Sequence, residues 1–186
     1  LGPARHIDVA ENGDIYVRLR SISARHDGGN MALRDTTGDG KADVIQRFGW
    51  VESGSRSYGA GMIIHNNYLY YSSALTVYRQ KLKPGQLVPD SPMEEVLVDD
   101  HDHGVHWHIT KPVSFDEAGN MYIPFGSPSN ACQDLDATPN GAIGGVGLDP
   151  CPELELHGGI WKFPGGRTGL RQSDGERIAT GIRSVV

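Results

Sequence analysis

The chain has 186 residues, 38% of them hydrophobic and 22% charged, with a formal net charge of −6. That length allows one domain of ordinary size with a real core, and no stretch approaches the roughly 18 apolar residues of a membrane-spanning helix. Net negative charge without any Lys/Arg cluster repels a phosphate backbone, which argues against a nucleic-acid partner.

From the N-terminus, residues 7 to 17 read IDVAENGDIYV, alternating apolar positions around a turn at Asn12-Gly13. This pattern predicts a β-hairpin. Residues 35 to 43, DTTGDGKAD, put Asp35, Asp39 and Asp43 at positions 1, 5 and 9 of a calcium-loop spacing with Gly40 at position 6, but Thr37 stands at 3 and Gln46 at 12. They read either as a bound calcium or as a solvated Asp/Gly turn. A second hairpin is expected in MIIHNNYLYYS at 62 to 72, followed by strands at 75 to 82 and 94 to 100.

Residues 101 to 108, HDHGVHWH, hold four of the eight histidines. Three readings stand here: an H-x-H metal chelate, a polar loop, or a catalytic imidazole, His106 or His108, acting as general base. His101 and His103 face one side of an extended segment, and His106 and His108 share a face with each other. VSFDEAGNMYI at 113 to 123 is a third hairpin with its turn at Gly119-Asn120. Cys132 and Cys151 then bracket a loop of 18 residues rich in Gly, Pro and Asn. They read as one disulfide, with two free thiols as the alternative; the disulfide would be worth about 3 kcal/mol in the chain-entropy picture and would imply an oxidising compartment. Such a long loop suits the rim of a site. GGIWKF at 158 to 163 is a further strand. No secretion signal precedes the first strand pattern, so a signal is taken as removed or never included.

Gly13, Asn67 and Gly119 are equivalent points of the three hairpins, 54 and 52 residues apart. A period near 53 built of about four short antiparallel strands predicts an all-β propeller, with a generic β-sandwich as the alternative. The repeats run 5–57, 58–110 and 111–163, with the start of another at 164–186, a single partial domain of roughly three to three and a half blades. Propellers close with four to eight blades, so the chain is expected to be part of a longer one.

Three runs, HITKPVSFDEAGNMYIPFGSPSNAC, DPCPELELHGGIWKF and GERIATGIRSVV, resemble the sugar dehydrogenases that use pyrroloquinoline quinone (PQQ), the soluble glucose dehydrogenase and sorbosone dehydrogenase group. The likeness extends over RHIDVAENGDIYV and DTTGDGKADVIQRF, and is strongest after residue 105. It implies a six-bladed propeller, PQQ and calcium as cofactors, an aldose or related alcohol or aldehyde as substrate, an electron acceptor such as a cytochrome or quinone, and a periplasmic or secreted location. His108 matches the family's general base, with Lys111 as the basic residue that follows it and His106 as the second candidate. In Thr180-Gly181-Ile182-Arg183-Ser184, Arg183 matches the arginine on the quinone's carboxylates, while the family's next residue, asparagine, is replaced by Ser184. The resemblance leaves the rest of the cofactor site to further blades. Two other functional classes stay open: a non-catalytic binding propeller and a calcium-dependent lactonase.

Overall fold

The computed structural model describes residues 3–20, 28–49, 61–100, 108–133 and 145–185. Its regular structure is all β apart from two short 3-10 turns. Strands β1 (Ala4–Val9), β2 (Ile15–Leu19), β3 (Gly29–Arg34) and β4 (Val44–Phe48) form an antiparallel meander. A second meander follows in β5 (Met62–His65), β6 (Tyr68–Ser72), β7 (Thr76–Lys81) and β8 (Glu94–Val98). The third sheet contains β9 (Ser114–Phe115), β10 (Met121–Phe125) and β11 (Gly159–Phe163). Beyond β11 come β12 (Leu170–Arg171), which pairs parallel to β8 of the second sheet, and β13 (Glu176–Thr180), which completes the third in the order β13-β11-β10-β9.

The hairpins explain the spacing read from the sequence. In the first, the Ala10 amide donates to the Asp14 carbonyl and Gly13 to Ala10; in the third, Asp116 donates to Asn120 and Gly119 to Asp116. Gly13 and Gly119 thus occupy the same position, at φ of 87° and 82°, where a side chain would be strained. The second hairpin is tighter: His65 pairs with Tyr68, so Asn66 and Asn67 alone make the turn, both at positive φ. The third turn is reinforced by Asp116, whose carboxylate accepts from the Asn120 side chain and amide and from the Tyr122 hydroxyl. Those bonds, the Asn120 side chain foremost, hold its pKa down at about 2.

Alternation along each strand then decides the packing, because successive side chains leave opposite faces of a sheet. Leu69 and Tyr71 of β6 join Tyr16, Ala32 and Phe48 of the first sheet in one core. Tyr70, between them, faces the other way into a core with Met121, Ile123, Phe125, Trp161 and Phe163 of the third sheet. The middle sheet is therefore buried on both sides, and the three sheets succeed one another face to face in chain order. Among the described residues no hydrophobic cluster joins the first sheet to the third. The first sheet keeps a third apolar group, Val17, Leu19, Met31 and Leu33, on its other face.

One boundary differs from the spacing read in the sequence. The segment from 164, expected to open another repeat, supplies β13, the fourth strand of the third sheet, before it leaves that unit. The reason is the excursion between β10 and β11, which carries both cysteines and lengthens the third unit. Before β13, β12 reaches back to the edge of the second sheet, where Arg171 also pairs with Asp100 at 3.0 Å.

Candidate functional site

The hairpin turns lie at one end of the sheets; the candidate site lies at the other, where β9 begins and β10 ends. His108, half-buried, stands at the start of the segment leading into β9. Its backbone lies directly on Gly126, the residue after β10: a Cβ at Gly126 would fall 2.0 Å from the His108 carbonyl oxygen and 2.9 Å from the His108 Cβ. Only glycine permits that approach.

From Gly126 the chain turns through Ser127-Pro128-Ser129-Asn130, and three cross-links shape it. The Ser127 amide donates to the Arg183 carbonyl at 2.8 Å, the Ser127 hydroxyl to the Glu153 carboxylate, and the Cys132 amide to the Ser129 hydroxyl at 3.0 Å. Cys132 is bonded to Cys151, Cα to Cα 6.1 Å, as the sequence led one to expect. A 3-10 turn at Pro152–Glu155 follows the second cysteine and carries Glu153. The segment after β13 closes the frame: Ile182 donates to the Gly158 carbonyl at 2.8 Å, and the Thr110 hydroxyl donates to the Val185 carbonyl at 3.1 Å.

Three side chains meet inside this frame. His108 Nε2 lies 3.2 Å from Asn130 Oδ1, and Arg183 Nη1 donates to the same oxygen at 3.1 Å. His108 and Arg183, 75 positions apart in the chain, are thus joined through one amide. Arg183 is exposed, and among the described residues its side chain makes that single hydrogen bond. The remaining N–H groups of a planar guanidinium form a fork suited to a carboxylate.

Lys111 takes a different place. Its side chain and that of Asp99 are each 2% exposed, with Nζ 2.5 Å from Oδ2, and the ammonium lies 4.6 Å from the centre of the Phe125 ring. Burial lowers the lysine's pKa against the opposing pull of Asp99. The charge expected on a cofactor is held beneath the site, tying the end of β8 to the segment that carries His108.

The Asp35, Asp39 and Asp43 carboxylates turn onto their own backbone. Asp35 accepts from Thr37, Gly38 and Gly40, Asp39 from Lys41, and Asp43 from Thr36. The bond from Gly40, first among these, lowers the Asp35 pKa. This is the hydrogen bonding of an Asx-rich turn, and the three carboxylates do not assemble a calcium cage. Among the described residues the group of potential ligands that gathers within 4.8 Å is Cys132, Cys151 and Glu153, whose sulfurs are already bonded to each other. His101, His103 and His106 lie outside the described residues. No described helix is long and apolar enough to cross a membrane.

Asn130 was not singled out from the sequence. An isolated Asn in a Ser/Pro loop carries no periodicity, and its two partners lie 22 and 53 positions away. The clue available was its place inside GSPSNAC, two positions before a cysteine.

No protein-family model matches the sequence, and no curated protein matches it. Solved structures do. The chain is similar to the holo form of the PQQ domain of pyranose dehydrogenase from Coprinopsis cinerea, with a TM-score of 0.68 and 13% identity over 95% of this chain and 38% of that one. It is similar also to a Trichoderma reesei enzyme of carbohydrate-active family AA12, in an iodide and a calcium structure, with TM-scores of 0.66 and 0.65 and 14% identity over 96% of this chain and 40% of that one. The chain spans about two fifths of the structures it matches. At such identities the likeness is one of fold.

Proposed function

We propose that the protein is a PQQ-dependent dehydrogenase of an aldose or related alcohol or aldehyde, a β-propeller of which this chain forms successive blades, with His108 as general base. The observation that carries this reading is the meeting of His108 and Arg183 at Asn130, on the end of the third sheet away from its hairpin turn. A base and an exposed guanidinium brought together from distant segments are what proton abstraction beside an anionic cofactor requires. The shared fold with a PQQ domain supports the same reading.

The donor set fits the cofactor at Arg183, whose open fork suits a carboxylate of the quinone. It does not fit at Lys111, whose ammonium is buried against Asp99. PQQ, when bound, supplies the two-electron acceptor; the chemistry is the cofactor's and the protein orients it. His108 receives the substrate's hydroxyl proton on its open ring nitrogen. Arg183 would hold a carboxylate of the cofactor and supplies positive charge at the site. Lys111 and Asp99 keep the His108 segment seated on the second sheet, and the disulfide with Glu153 holds the loop that presents Asn130. No calcium role is assigned to Asp35, Asp39 or Asp43. The disulfide supports a periplasmic or secreted location.

The test is reduction of an artificial electron acceptor by the full-length protein, supplied with PQQ and calcium, across a panel of aldoses and alcohols. Activity with at least one sugar is expected. His108→Ala should abolish turnover while quinone still binds; an unaltered rate would take the base away from His108 and leave His106 as the candidate. Absence of both quinone binding and reduction overturns the proposal.

A further inference from the structure

One oxygen atom decides the chemistry of the site. A guanidinium has donors and no acceptor, so the Asn130 atom that Arg183 Nη1 meets at 3.1 Å is the amide oxygen and not its nitrogen. The orientation of a side-chain amide is otherwise a choice between two look-alike atoms; here the arginine makes it. That same oxygen faces His108 Nε2 at 3.2 Å. An acceptor opposite Nε2 requires a hydrogen there, and in a neutral imidazole the lone pair then belongs to Nδ1.

We infer that Asn130 is the positioning residue of this site: with its amide oriented by Arg183, it holds His108 in the Nε2–H tautomer and assigns the base function to Nδ1. The functional half of this inference rests on the dehydrogenase reading; the tautomer does not. When substrate is oxidised, its O–H bond breaks and the proton forms a new N–H bond at His108 Nδ1, the carbon–oxygen bond becomes double, and the C–H hydrogen leaves with both bonding electrons as hydride, which the quinone, when bound, would accept. Asn130 exchanges no proton. Its oxygen accepts from Nε2–H in both the neutral and the cationic imidazole, so the ring is held in one orientation through the step. Arg183 accordingly has two duties, an anion fork on its outer edge and an amide lock on its inner one. Ser127, hydrogen-bonded through its amide to the Arg183 carbonyl, fixes the distance between the loop and that arginine.

The experiment is long-range nitrogen-15 NMR on the full chain with labelled histidine, without cofactor or substrate, the His108 signals being those lost in His108→Gln. The expected result is hydrogen on Nε2 with slowed exchange in the wild type, exchange faster by about tenfold in Asn130→Leu, where a hydrogen bond of ordinary strength is removed, and protection retained in Asn130→Asp, which keeps an acceptor oxygen. Hydrogen on Nδ1 in the wild type, or protection unchanged in Asn130→Leu, overturns the inference. Should Asn130→Leu fail to fold, Arg183→Met decides: without the guanidinium the amide is released to turn, and protection at Nε2 falls; unchanged protection there is equally fatal. Because none of this requires turnover, a failed acceptor-reduction assay would remove the dehydrogenase reading and leave the tautomer standing, and a failed NMR result would do the reverse. With both intact, Asn130→Leu should lower kcat more than it raises KM, since the ring is misdirected while the substrate's other contacts remain.

Discussion

Gly126 offers no side chain, and that is what lets His108 lie against the end of β10 and reach Asn130. A methyl group there would sit 2.0 Å from the His108 carbonyl oxygen, a backbone atom without a rotamer to yield, so the two segments must separate. Gly126→Ala is expected to cost stability on the order of 1–3 kcal/mol, as overpacking does, and to break the His108 to Asn130 hydrogen bond. Chemical denaturation checks the first effect and the exchange rate of the His108 Nε2 hydrogen the second. An alanine variant with both unchanged would show that the approach is not needed. At this scale the sequence disclosed unequal parts of the site. His108 and Arg183 stood inside motifs that resemble a known family, and Cys132 and Cys151 announced their pairing by composition. Asn130 did not, because its importance lies in one oxygen's two neighbours, which only the folded chain brings together.

The element that seats the site is the segment between β8 and β9, and its anchor is the ion pair of Lys111 and Asp99. Both side chains are out of water, and the lysine ammonium lies over Phe125. Removing one partner of a buried ion pair costs about 3–5 kcal/mol, whereas replacing both with apolar groups of similar volume is often neutral. Lys111→Met is therefore expected to destabilise by about that amount, and Lys111→Met with Asp99→Leu to recover most of it, both read by chemical denaturation. If Lys111 instead acted on the cofactor, the double variant would regain stability and lose quinone affinity outright; on the present geometry it keeps quinone affinity within a few fold. The sequence marked Lys111 as basic and close to His108, and could not reveal that the nearest carboxylate comes from the end of another sheet. The same limit explains β13. Hairpins with Asn and Gly turns repeat legibly because a turn is a local structure, but the strand that completes a sheet after a long excursion is chosen by pairing, and pairing has no local signature.

At the scale of the whole molecule, the middle sheet shows what each sheet needs: apolar partners on both faces. It has them in Leu69 and Tyr71 on one side and Tyr70 on the other. Among the described residues the outer two sheets have one such neighbour each, and large apolar side chains stand in the open there: Ile7 at 59% and Val9 at 55% exposure on β1, Ile45 at 51% on β4 and Ile178 at 48% on β13. Single exposed apolar residues are ordinary, yet these fall on the strands of the two terminal sheets, where a radial stack continues or ends. The chain covers about two fifths of the structures it resembles, and on the proposed reading those faces receive further blades of the full-length protein. Hydrogen exchange distinguishes the two situations. In the 186-residue chain, β6 and β7 should be the most protected strands, with β1 and β13 opening at much lower free energy; in the full-length protein β1 and β13 should approach the protection of the middle sheet. The site stands on the third sheet, whose outer strand is β13, so the same gain should appear in function: Arg183, three positions after the end of β13, is held only as firmly as that strand. The chain alone is accordingly expected to bind the quinone weakly and to show no reduction of the artificial acceptor, and the full-length protein to do both. Equal exchange at β13 in the two proteins, or full activity in the shorter one, would mean that three sheets suffice.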